Sequence, residues 1–185
     1  MAKRRPKPTY DGLTFDSQDE IEFYWWCQEA LEAGVLSGFR YQHPKLELSP
    51  KYYKTEKRFG VKGQELKPKT TTLIREATYT ADFELNFASR ELAARCGFLV
   101  ANERRALVDV KPVFEIQQSR AAKFTVLQKW VFDKHKRYVY PVVPVDFFGG
   151  CWCPAKALLT QAGKVRKSKK YTGLPSLVDW QTKSD

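Results

Sequence analysis

The spacing of apolar positions divides the chain into two long helices separated by strands. In "FDSQDEIEFYWWCQEALEAG", Ile21, Tyr24, Trp25, Gln28 and Leu31 recur at helical offsets. Asp16 or Ser17 caps this predicted helix, Asp19 and Glu20 fill its acidic first turn, and Gly34 ends it. Trp25 and Leu31 are expected to pack on a sheet, and Trp25, Trp26 and Trp130 to lie in the core. A strand over Phe39–Ser49 follows, broken at His43-Pro44. The basic, tyrosine-bearing stretch "KYYKTEKRFGVKGQELKPK" predicts an exposed excursion or a long hairpin. "TTTLIREATYTADFELNF" predicts one or two strands, the second over Thr78–Phe87, and "ASRELAARCGFLVANERRA" fits either a short helix or a connecting strand. Next come a strand over Ala106–Phe114 and a second helix. In that helix Ala122, Val126 and Trp130, and separately Phe124, Leu127 and Val131, recur at helical spacing. "RYVYPVVPVDFF" predicts a last strand whose pairing Pro141 and Pro144 limit.

This order of elements predicts an α/β fold with a mixed central sheet flanked by helices. Residues 1–13 read as a flexible basic arm and 14–148 as the main domain. Residues 149–185 read as a C-terminal extension with a basic run, "GKVRKSKK", and an apolar tail, "GLPSLVDW", disordered or packed on itself.

Composition adds a partner. The 185 residues, 43% hydrophobic and 14% aromatic, suffice for one core, and a net charge of +11 is the footprint of a phosphate-rich ligand. No apolar run approaches the roughly 20 residues of a membrane span. The basic N-terminus "MAKRRPKPTYDG" lacks the apolar segment of a signal peptide. Cys27, Cys96, Cys151 and Cys153 are scattered, which fits reduced, buried thiols of a cytoplasmic protein. Cys151 and Cys153 lack the second ligand pair of a zinc site, and the isolated His43 and His135 support neither a histidine–metal centre nor a Ser/His/Asp triad.

The chemistry lies in "LVDVKP". Asp109 and Lys111 interrupt an otherwise buried strand, and a period of two puts them on one face. Such a pair also guards sheet edges. In "YTADFELNF", however, Asp82 stands in a second core strand, with Thr80 and Glu84 on its face and Ala81, Phe83 and Leu85 on the other. If the strands pair, Asp82, Asp109 and Lys111 converge. One or two carboxylates, a backbone carbonyl such as that of Val110, and phosphate oxygens are the ligand set of Mg²⁺. Lys111 would hold or deprotonate water if its pKa is lowered there.

The pattern Asp82 … Asp109-Val110-Lys111 resembles the PD-(D/E)XK nuclease superfamily, within it the small phage endonucleases of the endonuclease-I or Holliday-junction-resolvase kind. The resemblance runs from Tyr10 to Val145 through the "FDSQDE" helix, the "YTADF" and "DVKP" strands and the basic "SRAAKFTVLQKW" helix. Ala81 replaces the family's proline, Asp109 stands where Glu is commoner, and an inserted "SRELAARCGFLVANERR" lengthens the gap between the acids. The resemblance implies a restriction-endonuclease-like core and Mg²⁺ or Mn²⁺ held by Asp82, Asp109 and the Val110 carbonyl. It also implies Lys111 on the attacking water and Glu20 as a helix-borne outer or second-metal ligand, with Glu22 competing for that place and Glu84 expected to be solvated. The implied reaction is in-line hydrolysis of DNA phosphodiesters, on branched or junction DNA, by a protein of the host-cell cytoplasm that works as a homodimer. Lys54, Lys57, Arg58 and Lys62 in the basic stretch, and Lys123 and Lys129 on the second helix, are candidate DNA contacts. The alternatives are a nicking or single-strand-directed phage nuclease and a non-catalytic nucleic-acid-binding protein that keeps the fold.

Overall fold

The computed structural model describes residues 6–99, 104–112, 120–160, 164–165 and 169–183. It opens on a tight hairpin of β1 (Thr9–Tyr10) and β2 (Leu13–Thr14), turned at Asp11 and Gly12 with φ of 52° and 73°. Two positive φ angles give the turn whose twist matches that of paired strands, and Asp-Gly suits it. Tyr10 packs edge-on against Tyr24 and Trp25. The expected flexible arm is therefore folded from Pro8 onward, and residues 1–5 of it lie outside the described residues.

Helix α1 (Gln18–Glu32) starts at Ser17, whose hydroxyl accepts the Glu20 N–H, and ends at Gly34 with φ +71°. It was read as amphipathic, yet every residue from Glu20 to Cys27 is buried. One side meets the central sheet through Phe23 against Phe83. The opposite side is covered by the C-terminal segment. Leu31, expected on the sheet, is 43% exposed; Ala30, 100° round the helix, takes the buried position in the last turn.

β3 (Leu36–Tyr41) leads through His43-Pro44 to β4 (Leu46–Ser49). A long exposed hairpin, β5 (Tyr52–Phe59) and β6 (Glu65–Ile74), follows and returns through β7 (Ala77–Tyr79) to β8 (Phe83–Phe87). The predicted strand Thr78–Phe87 is thus two strands. β7 pairs with β4 in a ribbon of its own, and the chain bends at residues 80–82 to enter the central sheet. The ambiguous segment after β8 is a short helix, α2 (Arg90–Arg95), capped by Ser89. β9 (Arg105–Val110) stops before Lys111, and Phe114, the predicted strand end, lies outside the described residues. α3 (Arg120–His135) returns the chain to β10 (Val139–Val142).

The central sheet has the order β10-β9-β8-β3, antiparallel except for the parallel β9–β10 pair. α3 supplies the crossover that a parallel pair requires. β10 is an edge strand, where Pro141 costs no ladder bond. The expected strand does not continue beyond it: Pro144 begins α4 (Pro144–Gly150), proline's fixed φ suiting a first helical turn. α1 covers one sheet face. α3 covers the other with Phe124, Leu127 and Val131, which pack with Leu48, Tyr79, Ala81, Leu107 and Val139. The second apolar set points away, so Val126 is 63% exposed and Trp130, expected in the core, 38%.

The C-terminal segment does not stand apart. α5 (Ala155–Leu158), a 3-10 turn (Lys169–Tyr171) and α6 (Leu177–Thr182) wrap α1. Trp152 is fully buried between Trp26 and Trp180, with ring centroids at 5.1 and 4.8 Å, and its indole N–H donates to Glu29 at 2.8 Å. The four cysteines are buried free thiols, as expected. Among the described residues, no helix is long and apolar enough to cross a membrane. Trp152→Ala is expected to cost about 3–5 kcal/mol in urea unfolding. A loss below about 1 kcal/mol would show that the segment merely rests on the domain.

Candidate active site

The bend at residues 80–82 places Asp82 at the mouth of β8, one residue before the register pair Phe83–Val108. Continuing that register brings Asp82 beside the end of β9, where its Oδ2 accepts the Val110 N–H at 2.7 Å. In extended backbone a residue's N–H and carbonyl share one edge, so the Val110 carbonyl also faces β8. Asp109, buried on the α3 side of the sheet, accepts from the Lys111 ammonium at 2.8 Å through Oδ1 and from the Tyr79 hydroxyl at 3.0 Å through Oδ2. The Lys111 N–H is tied to the Val142 carbonyl at 2.8 Å, and its ammonium lies 5.2 Å from the centre of the Phe124 ring. The three groups predicted to converge do so.

Two carboxylates face one ammonium here, and the imbalance has a protonic consequence. Burial first, then the adjacent charge of Asp109, raises the Asp82 carboxyl from 3.8 to about 9; Glu20 adds to the rise and the Val110 N–H opposes it. Burial and the neighbouring Asp109 likewise push the Tyr79 phenol upward, so it stays a donor.

Glu20, not Glu22, is the α1 acid that faces this pair. Its Oε2 accepts from Tyr41 at 2.9 Å and from the Asp16 N–H at 3.1 Å, and burial lifts its carboxyl above its usual range despite those bonds. Glu22 points the other way, to Lys170 at 2.9 Å and the Tyr171 hydroxyl. Among the described residues, no group of three or more His, Cys, Asp and Glu side chains gathers to hold a metal ion. The donors in place are the Asp82–Asp109 pair and the backbone beside it, with Glu20 an outlying charge. Such all-oxygen donors suit a hard divalent cation that keeps waters in its shell.

Glu84, expected to be solvated, is paired: Arg137 donates to it at 2.6 Å, and His43 lies 3.8 Å away. Arg137 holds the Glu84 carboxyl below its usual range despite burial. The histidines are not isolated in space, since His43 also meets Arg137 at 2.9 Å and His135 reaches the Glu47 carbonyl at 2.8 Å. Sequence reasoning missed Tyr79, Phe124 and Arg137. Tyr79 is 30 residues from Asp109 in sequence, and no pattern links the two. The expected DNA contacts are all exposed: Lys54, Lys57, Arg58 and Lys62 on or at the turn of the β5–β6 hairpin, Lys123 and Lys129 on α3. Lys123 adjoins Phe124 and so flanks the site.

The fold and site define a mixed α/β domain with a buried aspartate, a half-buried one beside it, and a lysine at the carboxyl end of a central strand. A family model described as "Protein of unknown function (DUF1064)" matches residues 2–137, and the chain belongs to that family. No curated protein and no solved structure matches it.

Two outcomes test the site. Asp82 keeps its proton in the folded, metal-free protein to about pH 9 but loses it near 3.8 when unfolded. The unfolded state therefore sheds protons first, and the Asp82 contribution to stability falls as pH rises through that window. In EDTA, Asp82→Asn should gain stability over the parent between those limits, with the difference levelling above the upper one; equal pH profiles would contradict the assignment. Tyr79→Phe, which frees one oxygen of Asp109, should weaken Mn²⁺ binding about 10- to 100-fold in calorimetry, and unchanged affinity would remove Tyr79 from the site.

Proposed function

We propose that this protein is a metal-dependent endonuclease that hydrolyses phosphodiester bonds in DNA. The observation that carries the reading is the convergence of Asp82 and Asp109 across β8 and β9, with Lys111 bound to Asp109 two residues on. The element order supports the resemblance to the PD-(D/E)XK nucleases: an acid-bearing helix, two antiparallel strands carrying the acids, a long helix and a parallel strand. The net charge of +11 supports a polyanionic substrate.

Asp82, Asp109 and the Val110 carbonyl would hold Mg²⁺ or Mn²⁺. When bound, such a cation stabilises negative charge developing on the phosphate and the leaving oxygen. Asp82, whose carboxyl burial and the adjacent Asp109 push upward, would give up its proton to hold that cation. Tyr79 holds Asp109 in one orientation. Lys111, half-buried beside Phe124, orients water against the phosphate while its ammonium balances Asp109. Glu20 adds negative charge from α1. A branched or junction substrate, a homodimer and a cytoplasmic setting follow from the same resemblance.

The purified protein should cut supercoiled plasmid or a four-way junction with Mg²⁺ or Mn²⁺ and not with EDTA. Asp109→Asn, which keeps the shape and the Tyr79 bond, and Lys111→Met should each lower the rate at least about 100-fold. Wild-type cleavage rates in both variants would refute the site, and metal-independent binding without cutting by the parent would make this a DNA-binding protein that does not cleave.

A further inference from the structure

The β5–β6 hairpin makes an unusual use of chain. From Tyr52 to Ile74 every strand residue is exposed, including Tyr52, Tyr53, Phe59, Leu66 and Ile74. Among the described residues its two strands pair only with each other. An isolated two-stranded ribbon is marginally stable by itself, so one that shows its apolar side chains to water has a binding partner to meet.

Charge identifies the kind of partner. Lys54, Lys57, Arg58, Lys62, Lys67 and Lys69 stand against only Glu56 and Glu65. Lys54 and Lys57 pair with those two acids, at 2.7 and 3.9 Å, while Arg58, Lys62, Lys67 and Lys69 make no ion pair among the described residues. Register sorts the side chains further. Tyr53 opposes Thr72 and Thr55 opposes Thr70, so four hydroxyls cluster on one face, which continues toward the turn with Lys57 and its partner Glu65; the Thr55 and Thr70 hydroxyls touch at 3.1 Å. Lys54, Glu56, Lys69 and Thr71 occupy the other face.

The geometry points to an arm that lies in the major groove of double-stranded DNA, which gives the proposed nuclease a duplex-bearing substrate. This inference rests on the nuclease reading only for what happens to the DNA after it is bound. Two strands about 4.8 Å apart fit a groove about 12 Å wide. The four hydroxyls at the base of the arm can hydrogen-bond base edges, Lys57 toward its turn is already matched by Glu65, and the unpaired cations reach the phosphates on either side. Bulges at Tyr52/Tyr53 and Glu56/Arg58 sharpen the ribbon's twist. Addition of a strand from another protein is opposed by Pro68, which removes a donor from β6, and by the lysines along both strands. The arm is rooted at the site: β6 runs into β7, whose Tyr79 bonds Asp109, and Asp82 follows three residues later.

The test is fluorescence anisotropy in EDTA, where no cutting occurs, with duplex DNA, the same sequence as a single strand, and duplex RNA. Wild-type protein should prefer duplex DNA, because the major groove of RNA is too deep and narrow to admit the ribbon. A variant carrying Arg58→Gln, Lys62→Gln, Lys67→Gln and Lys69→Gln should bind about 10- to 100-fold more weakly at physiological salt. Its slope of log affinity against log salt should be shallower by about 3–4. Its melting temperature should not change, since these side chains touch nothing in the core. Tyr53→Ala should weaken binding to duplex without changing that slope. Unchanged affinity and slope in the four-fold variant, or equal binding of single strand or duplex RNA by the parent, would overturn the arm. Duplex binding through the arm by a protein that never cuts would leave the arm standing and remove the nuclease. Cleavage by a protein indifferent to the four substitutions would do the reverse.

Discussion

A single ammonium set against one buried and one half-buried carboxylate is the constraint around which the domain is arranged. Lys111 can satisfy Asp109 but not Asp82 as well, so the second acid holds a proton and takes its remaining hydrogen bond from the Val110 backbone. Burying such an arrangement is costly unless each oxygen is met by a donor. Tyr79, Lys111 and the Val110 N–H meet that need, and each comes from a different feature: β7, the chain beyond β9, and β9 itself. The register of β8 on β9 holds them together. A slip of β8 by one residue would carry Asp82 to the α1 face and set Phe83 opposite Asp109.

The remainder of the fold fixes that register from both sides. On one face α1 is clamped between the sheet and the C-terminal segment, where Trp26, Trp152 and Trp180 form a continuous stack. On the other, the network of His43, Arg137 and Glu84 joins the β3–β4 connection, the end of α3 and β8. The family match ends at residue 137, yet β10 lies beyond it and its Val142 carbonyl anchors the Lys111 backbone. The C-terminal quarter of the chain is thus part of the frame of the site. The strands of the hairpin arm pair with each other and all of their residues are exposed, so the arm adds nothing to that frame.

The sequence was legible where local chemistry dominates. Ser17, the acidic first turn and Gly34 marked α1 within a residue or two, and the alternation from Phe83 to Phe87 marked the two faces of β8, although Ala81, expected on the face of Phe83 and Leu85, packs on the α3 side because the chain bends before β8. It was misleading where the same apolar signal has more than one use. Apolar residues all round α1 meant burial on two sides, and the covering segment lies more than a hundred residues away. The two apolar stripes of α3 looked alike, and only packing chose Phe124, Leu127 and Val131 for the sheet and left Val126 and Trp130 exposed. The strand read through Pro144 was a helix start, because proline's fixed φ serves either assignment.

By itself the sequence determined which acids and which lysine stand in or beside strands that are otherwise apolar, and that the chain carries a net charge of +11. Side-chain period and residue type are local properties, and they are written directly in the order of residues. Only the tertiary structure decided that Glu20 and not Glu22 faces the aspartates, that Tyr79 steadies Asp109, and that Glu84 is claimed by Arg137. Those relations join residues from 30 to 89 positions apart in the chain, and they depend on strand register and on which helix face meets the sheet. Neither is fixed by any one segment, because each is the outcome of all of them packing at once.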